Sequence, residues 1–178
     1  MRKSKLFVII ALLGGLILSG FQCASTELQT AKLHIKNGEF DKAIEVLQKE
    51  VDKNPQSDEG WFLLGHSYSE LGDVDNMLSS FEKSLAISNK FAVDIENRKL
   101  SVWAKSFNEG VKLFNQGNNE ENEESAKILY DKSINAFKQS AKVQPDSADS
   151  HKNMAFVYMR SGRNKEAVEP LMKLVELN

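Results

Sequence analysis

The chain has 178 residues, 27% of them charged, a composition that suits one water-facing domain and excludes a bundle buried in lipid. Arg2, Lys3 and Lys5 stand apart at the start, so the part after Cys23 holds 20 basic against 25 acidic side chains, a net of −5. Such a surface offers nucleic acid no face that neutralises phosphates, and Cys23 as the single cysteine excludes an internal disulfide and a thiolate metal cluster.

The cationic start is followed by 13 apolar residues, Leu6 to Leu18, with no acid among them, which is the layout of a secretory signal peptide. The run is somewhat short for a permanent membrane span, since Leu6 to Gln22 as a helix covers about 25 Å of a ~30 Å hydrocarbon core. Cys23 comes immediately after it. Gly20-Phe21-Gln22-Cys23 resembles, in degenerate form, the lipobox of bacterial lipoproteins, with Leu18 five positions before the cysteine instead of three. That resemblance implies a signal peptide over residues 1–22, cleavage before Cys23, and lipidation of Cys23 as the membrane anchor. A cut by an ordinary signal peptidase and a retained apolar anchor are the other readings of the same segment. Ala24, in place of the aspartate associated with inner-membrane retention, favours the outer membrane.

From residue 24 onward a period of 34 residues organises the chain. Trp61-x-x-Leu64-Gly65-x-x-Tyr68 is followed nine positions later by Met77-x-x-x-Phe81. Thirty-four residues upstream stand Ala31 for Gly65, Gly38 for Gly72, Ala43 for Met77 and Leu47 for Phe81, closed by Pro55. Ser133-x-x-x-Phe137 with Pro145, then Ala155-x-x-Tyr158, Gly162 and Ala167-x-x-x-Leu171, repeat the pattern in the second half. These residues resemble the tetratricopeptide-repeat family. The resemblance implies an all-α, right-handed superhelical solenoid of about four helix-turn-helix repeats, at 24–57, 58–91, 103–147 and 148–178. The third repeat departs from the period by two insertions of eleven residues, Ala92 to Val102 and a second between Gly117 and Ser133. Small residues at the eighth and twentieth positions let two helices approach, and Gly38, Gly72, Gly117 and Gly162 are expected where the first helix of each pair ends.

The family uses the first helix of each repeat to line a concave groove. Carried onto this chain, its groove positions are Leu28, Lys32 and Lys36, then Phe62, His66 and Glu70, then Phe107, Val111 and Phe114, then Lys152, Phe156 and Arg160. The surface so drawn is aromatic along the middle and basic at the ends, which suits an amphipathic or extended peptide with apolar anchors and some acid. Some of these phenylalanines, those of the irregular third repeat above all, read equally as core. Leu28 and Lys32 stand where the carboxylate clamp of chaperone-binding relatives needs lysine and asparagine, so capture of a C-terminal carboxylate by that route is not expected.

Asn118 to Ser125 packs four glutamates into eight residues, without the spacing of a calcium loop, and reads as a solvated turn leading into a helix. His34, His66 and His151 lie on separate repeats with no metal-ligand spacing, and no nucleophile elbow, P-loop or dinucleotide turn is present. No cofactor, metal or enzymatic activity is therefore expected. The expectation is a scaffold at the bacterial cell envelope, lipid-anchored and facing the periplasm or exterior, that binds a protein or peptide. The alternative is a carrier that takes a lipid or glycan in the phenylalanine-rich groove. The fourth repeat has no polar capping helix after it, so either the native chain is longer or its last pair docks on a partner or a second copy.

Overall fold

The computed structural model describes residues 25–177, so the signal segment and Cys23 lie outside the described residues. Among the described residues every regular element is a helix: α1 (Thr26–Lys36), α2 (Phe40–Lys53), α3 (Asp58–Leu71), α4 (Val74–Ile87), α5 (Ala92–Asn119), α6 (Glu123–Val143), α7 (Ala148–Arg160) and α8 (Val168–Glu176). They pair in order as four antiparallel hairpins stacked along one axis, an all-α solenoid.

The local chemistry sets where each helix begins and ends. Side-chain oxygens of Ser25, Ser57, Asp73, Asn122 and Ser147 each accept the backbone N–H three residues on, satisfying one of the donors that a helix start leaves open. Gly38, Gly72 and Gly162 close the first helix of their hairpins with φ of 73°, 76° and 75°, a left-handed bend that costs glycine little. Pro55 and Pro145 follow the ends of α2 and α6, where a further turn of helix would lack a donor.

Within the second and third hairpins one glycine lets a ring reach the facing backbone. A Cβ on Gly65 would stand 2.5 Å from the Phe81 ring, and one on Gly110 would stand 2.8 Å from the Phe137 ring. Phe81 and Phe137 are 1% and 0% exposed, the largest side chains wholly removed from water. The core falls into three clusters: one between the first two hairpins around Leu47 and Leu64, one around Phe81 and Ile95, and one around Phe137 and Val157.

The third hairpin departs from the expected turn. Gly117 does not end its helix: it lies inside α5, buried, with a would-be Cβ 2.8 Å from the Tyr130 ring. The turn falls instead at Glu120 to Asn122, and Glu123 and Glu124 occupy the first turn of α6, where acids suit the positive helix end. Both insertions are thus absorbed as helix, giving an α5 of 28 residues and an α6 of 21. Residues 92–101 run beyond the end of α6 and lie against the second hairpin: Ile95 is wholly buried and Arg98 pairs with Glu70. Lys142, near the end of α6, reaches Asp75 at 2.8 Å. The α4 and α5 backbones stand apart and meet through the buried side chains around Phe81 and Ile95, and a cleft of about 520 Å³ lined by Leu78, Leu85 and Ile95 opens between them.

Candidate functional site: the face of the first helices

In the first half of the chain the groove positions are largely consumed by internal contacts. Leu28 is 6% exposed and packs with Ala31, Leu47 and Leu64, so it is core and not groove. Leu28 stands at an expected groove position, but α1 packs on α2 and α3 through Leu28 and Ala31, the two buried residues of the helix. Lys32 Nζ lies 2.8 Å from Glu59 Oε1 on α3, tying the first two helices of the face together. Lys36 is exposed in the last turn of α1.

Phe62 is half-buried between two rings, stacked on Phe91 at 4.4 Å and 3° between planes, and 6.2 Å from Phe81. Phe91 stands just ahead of the first insertion and comes from the next hairpin, so it closes over Phe62 and removes much of it from the groove. No local pattern around Phe62 announces this; the aromatic residue at the insertion boundary was the available signal.

His66 is packed beside the Phe40 ring at 6.2 Å. Burial holds its pKa below the ordinary histidine value, the Arg98 guanidinium pushes the same way, and Glu70 opposes them. Glu70 is bound to Arg98. Burial likewise raises the Tyr68 phenol, with Asp73 adding to it.

The second half is arranged differently. Trp103 Nε1 donates to Ser147 and Ser150 Oγ at 3.2 Å, and Arg160 Nε donates to Asn118 Oδ1 at 3.1 Å, so α5 and α7 are tied side by side at two levels. Between those ties lie Phe107, Val111 and Phe114 on α5 and Lys152 and Phe156 on α7. Phe107 stacks on Trp103 at 5.5 Å and sets its edge to Phe137, while Phe114 tilts against Tyr130 at 6.0 Å. These two rings and Val111 are half-buried: one side belongs to the core and the other lines the wall. Phe156 has no such cover and is 48% exposed, with Met159 at 40% beside it. Lys152 and Arg160 are exposed at either end of the α7 stretch. An α5–α7 wall that presents half-sunk rings, one open phenylalanine and cations at its ends can hold a polypeptide that brings apolar anchors and acid.

Among the described residues no group of three or more His, Cys, Asp or Glu is placed to hold a metal ion, and no helix is long and apolar enough to cross a membrane. The acidic turn at Glu120 to Asn122 is solvated, and His34 bonds Glu39 while His151 Nε2 meets the Pro145 carbonyl at 2.8 Å.

Hairpins of this length, spacing and small-residue approach define a helical repeat protein. Residues 25–67 and 58–91 each match the family described as tetratricopeptide repeat, so the first half of the chain carries tetratricopeptide repeats. Over 55 residues it is 42% identical to the TPR repeat-containing protein MJ0940 of Methanocaldococcus jannaschii, a stretch that is 31% of this chain and 17% of that relative. Among solved structures it is similar to the thermophilic tetratricopeptide protein TTC0263 of Thermus thermophilus, with 18% identity, 85% of this chain and 73% of that one covered, and a TM-score of 0.41. It is also similar to the MamA protein, with 20% identity, coverage of 85% and 71%, and a TM-score of 0.37.

Proposed function

We propose that this protein is an exported scaffold, held at a bacterial membrane through a lipid on Cys23, the outer membrane favoured, that binds a partner polypeptide on the α5–α7 wall. The protein-binding character follows from the repeat family; the choice of wall rests on one observation. Phe156 stands 48% exposed on the face of α7 while Phe62, the groove phenylalanine of α3, is capped by Phe91. An open aromatic ring flanked by Lys152 and Arg160 is an anchor point for an apolar side chain on a segment that also carries acid. The chain acts in this reading by holding, with no chemical step of its own.

A photo-crosslinking amino acid placed at position 156 of the full chain in its native cells tests this, with position 82 on α4 as control. Adducts with a polypeptide are expected from 156 and not from 82, and Lys152→Glu lowers their yield. Equal yields from both positions, or recovery of lipid or glycan in place of polypeptide, overturn the reading. The anchor is checked separately by intact mass of the membrane form, which is expected to begin at Cys23 and to exceed the polypeptide mass by its acyl chains. A free thiol at Cys23 or an uncut Met1 sinks that part alone.

A further inference from the structure

The last helix carries a second apolar face that belongs to neither the core nor the α5–α7 wall. On α8, Val168, Leu171, Met172 and Val175 recur at the spacing of one helical stripe and are 52%, 39%, 61% and 77% exposed. The helix is held to α7 by its other side, where Ala167 and Pro170 are buried. A stripe of four such residues in a row is the most open apolar surface among the described residues.

The stripe is symmetric about its own midpoint. Reversing α8 about a point between Leu171 and Met172 exchanges Val168 with Val175 and Leu171 with Met172, so an antiparallel copy of the same helix presents the same apolar row in register. The charges beside it obey a stricter rule. Lys165, Glu169, Lys173 and Glu176 lie along one flank, lining with Val168 and Met172 a shallow cavity of about 550 Å³. Read forward they run plus, minus, plus, minus; read backward they run minus, plus, minus, plus. In an antiparallel pair a flank meets itself reversed, so Lys165 comes within two residues of Glu176 of the second copy and Glu169 within one residue of Lys173 of the second copy, each twice, offsets that these long side chains span. In a parallel two-fold pair the flank would meet the opposite flank of the second copy, and these charges would not face one another. Within one chain Lys173 and Glu176 lie 3.2 Å apart on the surface, a contact that is weak in water and easily exchanged.

We propose that α8 pairs with α8 of a second copy of this chain, antiparallel about a two-fold axis, with the apolar stripe at the centre and the alternating charges fixing direction and register. Apolar contact supplies affinity in such an interface and the flanking charges select the partner.

Sedimentation equilibrium of the full chain in a density-matched detergent tests it, with helical content followed by circular dichroism. A reversible dimer is expected at micromolar concentrations. Met172→Glu should raise its dissociation constant by about 100-fold, and Glu169→Lys or Lys173→Glu alone by about tenfold each. An equimolar mixture of the Glu169→Lys chain with the Lys173→Glu chain should dimerise like the wild type, because every introduced charge then faces an opposite one. That recovery belongs to a self-complementary antiparallel contact and to no other partner. If Met172→Glu unsettles α8, the mixture alone decides. A wild-type chain that stays monomeric, a dimer indifferent to Met172→Glu with its helix intact, or a mixture no tighter than its components overturns the proposal.

Discussion

Along α1 and α3, most of the residues at groove positions find their partners inside the chain: Lys32 takes Glu59, Glu70 takes Arg98, Leu28 sinks into the core and Phe62 lies under Phe91. Along α5 and α7 the same positions hold Phe107, Val111 and Phe114 half out of the core, and Phe156 open to water. The two halves share one repeat grammar, and each has a ring wholly buried against a glycine of the facing helix. What differs is the junction. The inserted start of α5 brings Phe91 and Arg98 back over α3, and nothing equivalent returns over α7 within the described residues. A solenoid face is therefore made available or closed by what the next unit supplies, and residue type at the groove position does not decide it.

The largest effects should show where the halves agree. Phe81→Ala and Phe137→Ala each remove a ring exposed to 1% or less, and each should cost about 3–5 kcal/mol in urea unfolding. A second-half value well below the first would mean that the extended hairpin is the softer unit. The contrast itself is tested by one groove phenylalanine from each half. Phe62→Ala should lose roughly 2 kcal/mol, because the ring is half-buried and stacked, whereas Phe156→Ala should stay within about 0.5 kcal/mol. Equal losses would mean that Phe156 is covered after all.

A smaller effect distinguishes the turns. Gly72→Ala is strained by its positive φ with open space around it, while Gly117→Ala has an ordinary helical backbone but meets Tyr130. Crowding costs about 1–3 kcal/mol and helix propensity returns nearly 1 kcal/mol, so Gly117→Ala should destabilise by about 1 kcal/mol net. Gly117→Ala in a Tyr130→Leu background should lose that penalty, and a penalty that persists would place the strain elsewhere.

The smallest effect is a pH dependence confined to the first half. The folded state holds the His66 pKa below its ordinary 6.5, so the unfolded chain takes up the proton first as pH falls. Stability is unaffected well above pH 6.5 and declines as pH drops through that value toward the folded pKa. His66→Gln should flatten this slope, and Arg98→Gln should reduce it by removing the second cause. A slope unchanged in His66→Gln assigns the acid sensitivity to another group.

Much of the fold could be read before any coordinates. The Trp61 to Tyr68 motif and the 34-residue spacing locate the hairpins because each landmark has a packing reason: Gly65 and Gly110 admit a ring, and Gly38, Gly72 and Gly162 bend where expected. Gly117 misled because a glycine in a helix that must pass a tyrosine looks the same in sequence as one that ends a helix. The groove was less legible. Leu28 and Phe62 occupy family groove positions, but whether such a residue faces water depends on side chains from neighbouring helices, Leu47 and Leu64 in one case and Phe91 in the other. Those contacts are tertiary, and no local periodicity encodes them.

The length of the first insertion carries a rotational constraint. Residues 92–102 continue into the rest of α5 without a break, and eleven residues at about 100° each complete three turns with only about 20° left over. Ile95 and Val102 can therefore point at the second hairpin while Gly110 and Gly117 point at α6, all from one face of one rod. An addition of ten or twelve residues at the same place would turn the two ends relative to each other by roughly a quarter of a revolution, swinging Ile95 toward water or the Phe107 to Phe114 row away from the wall. A solenoid of this kind can change the span of its binding face only in whole screw turns, and a helix that serves two neighbouring cores is the gauge that sets the permitted steps.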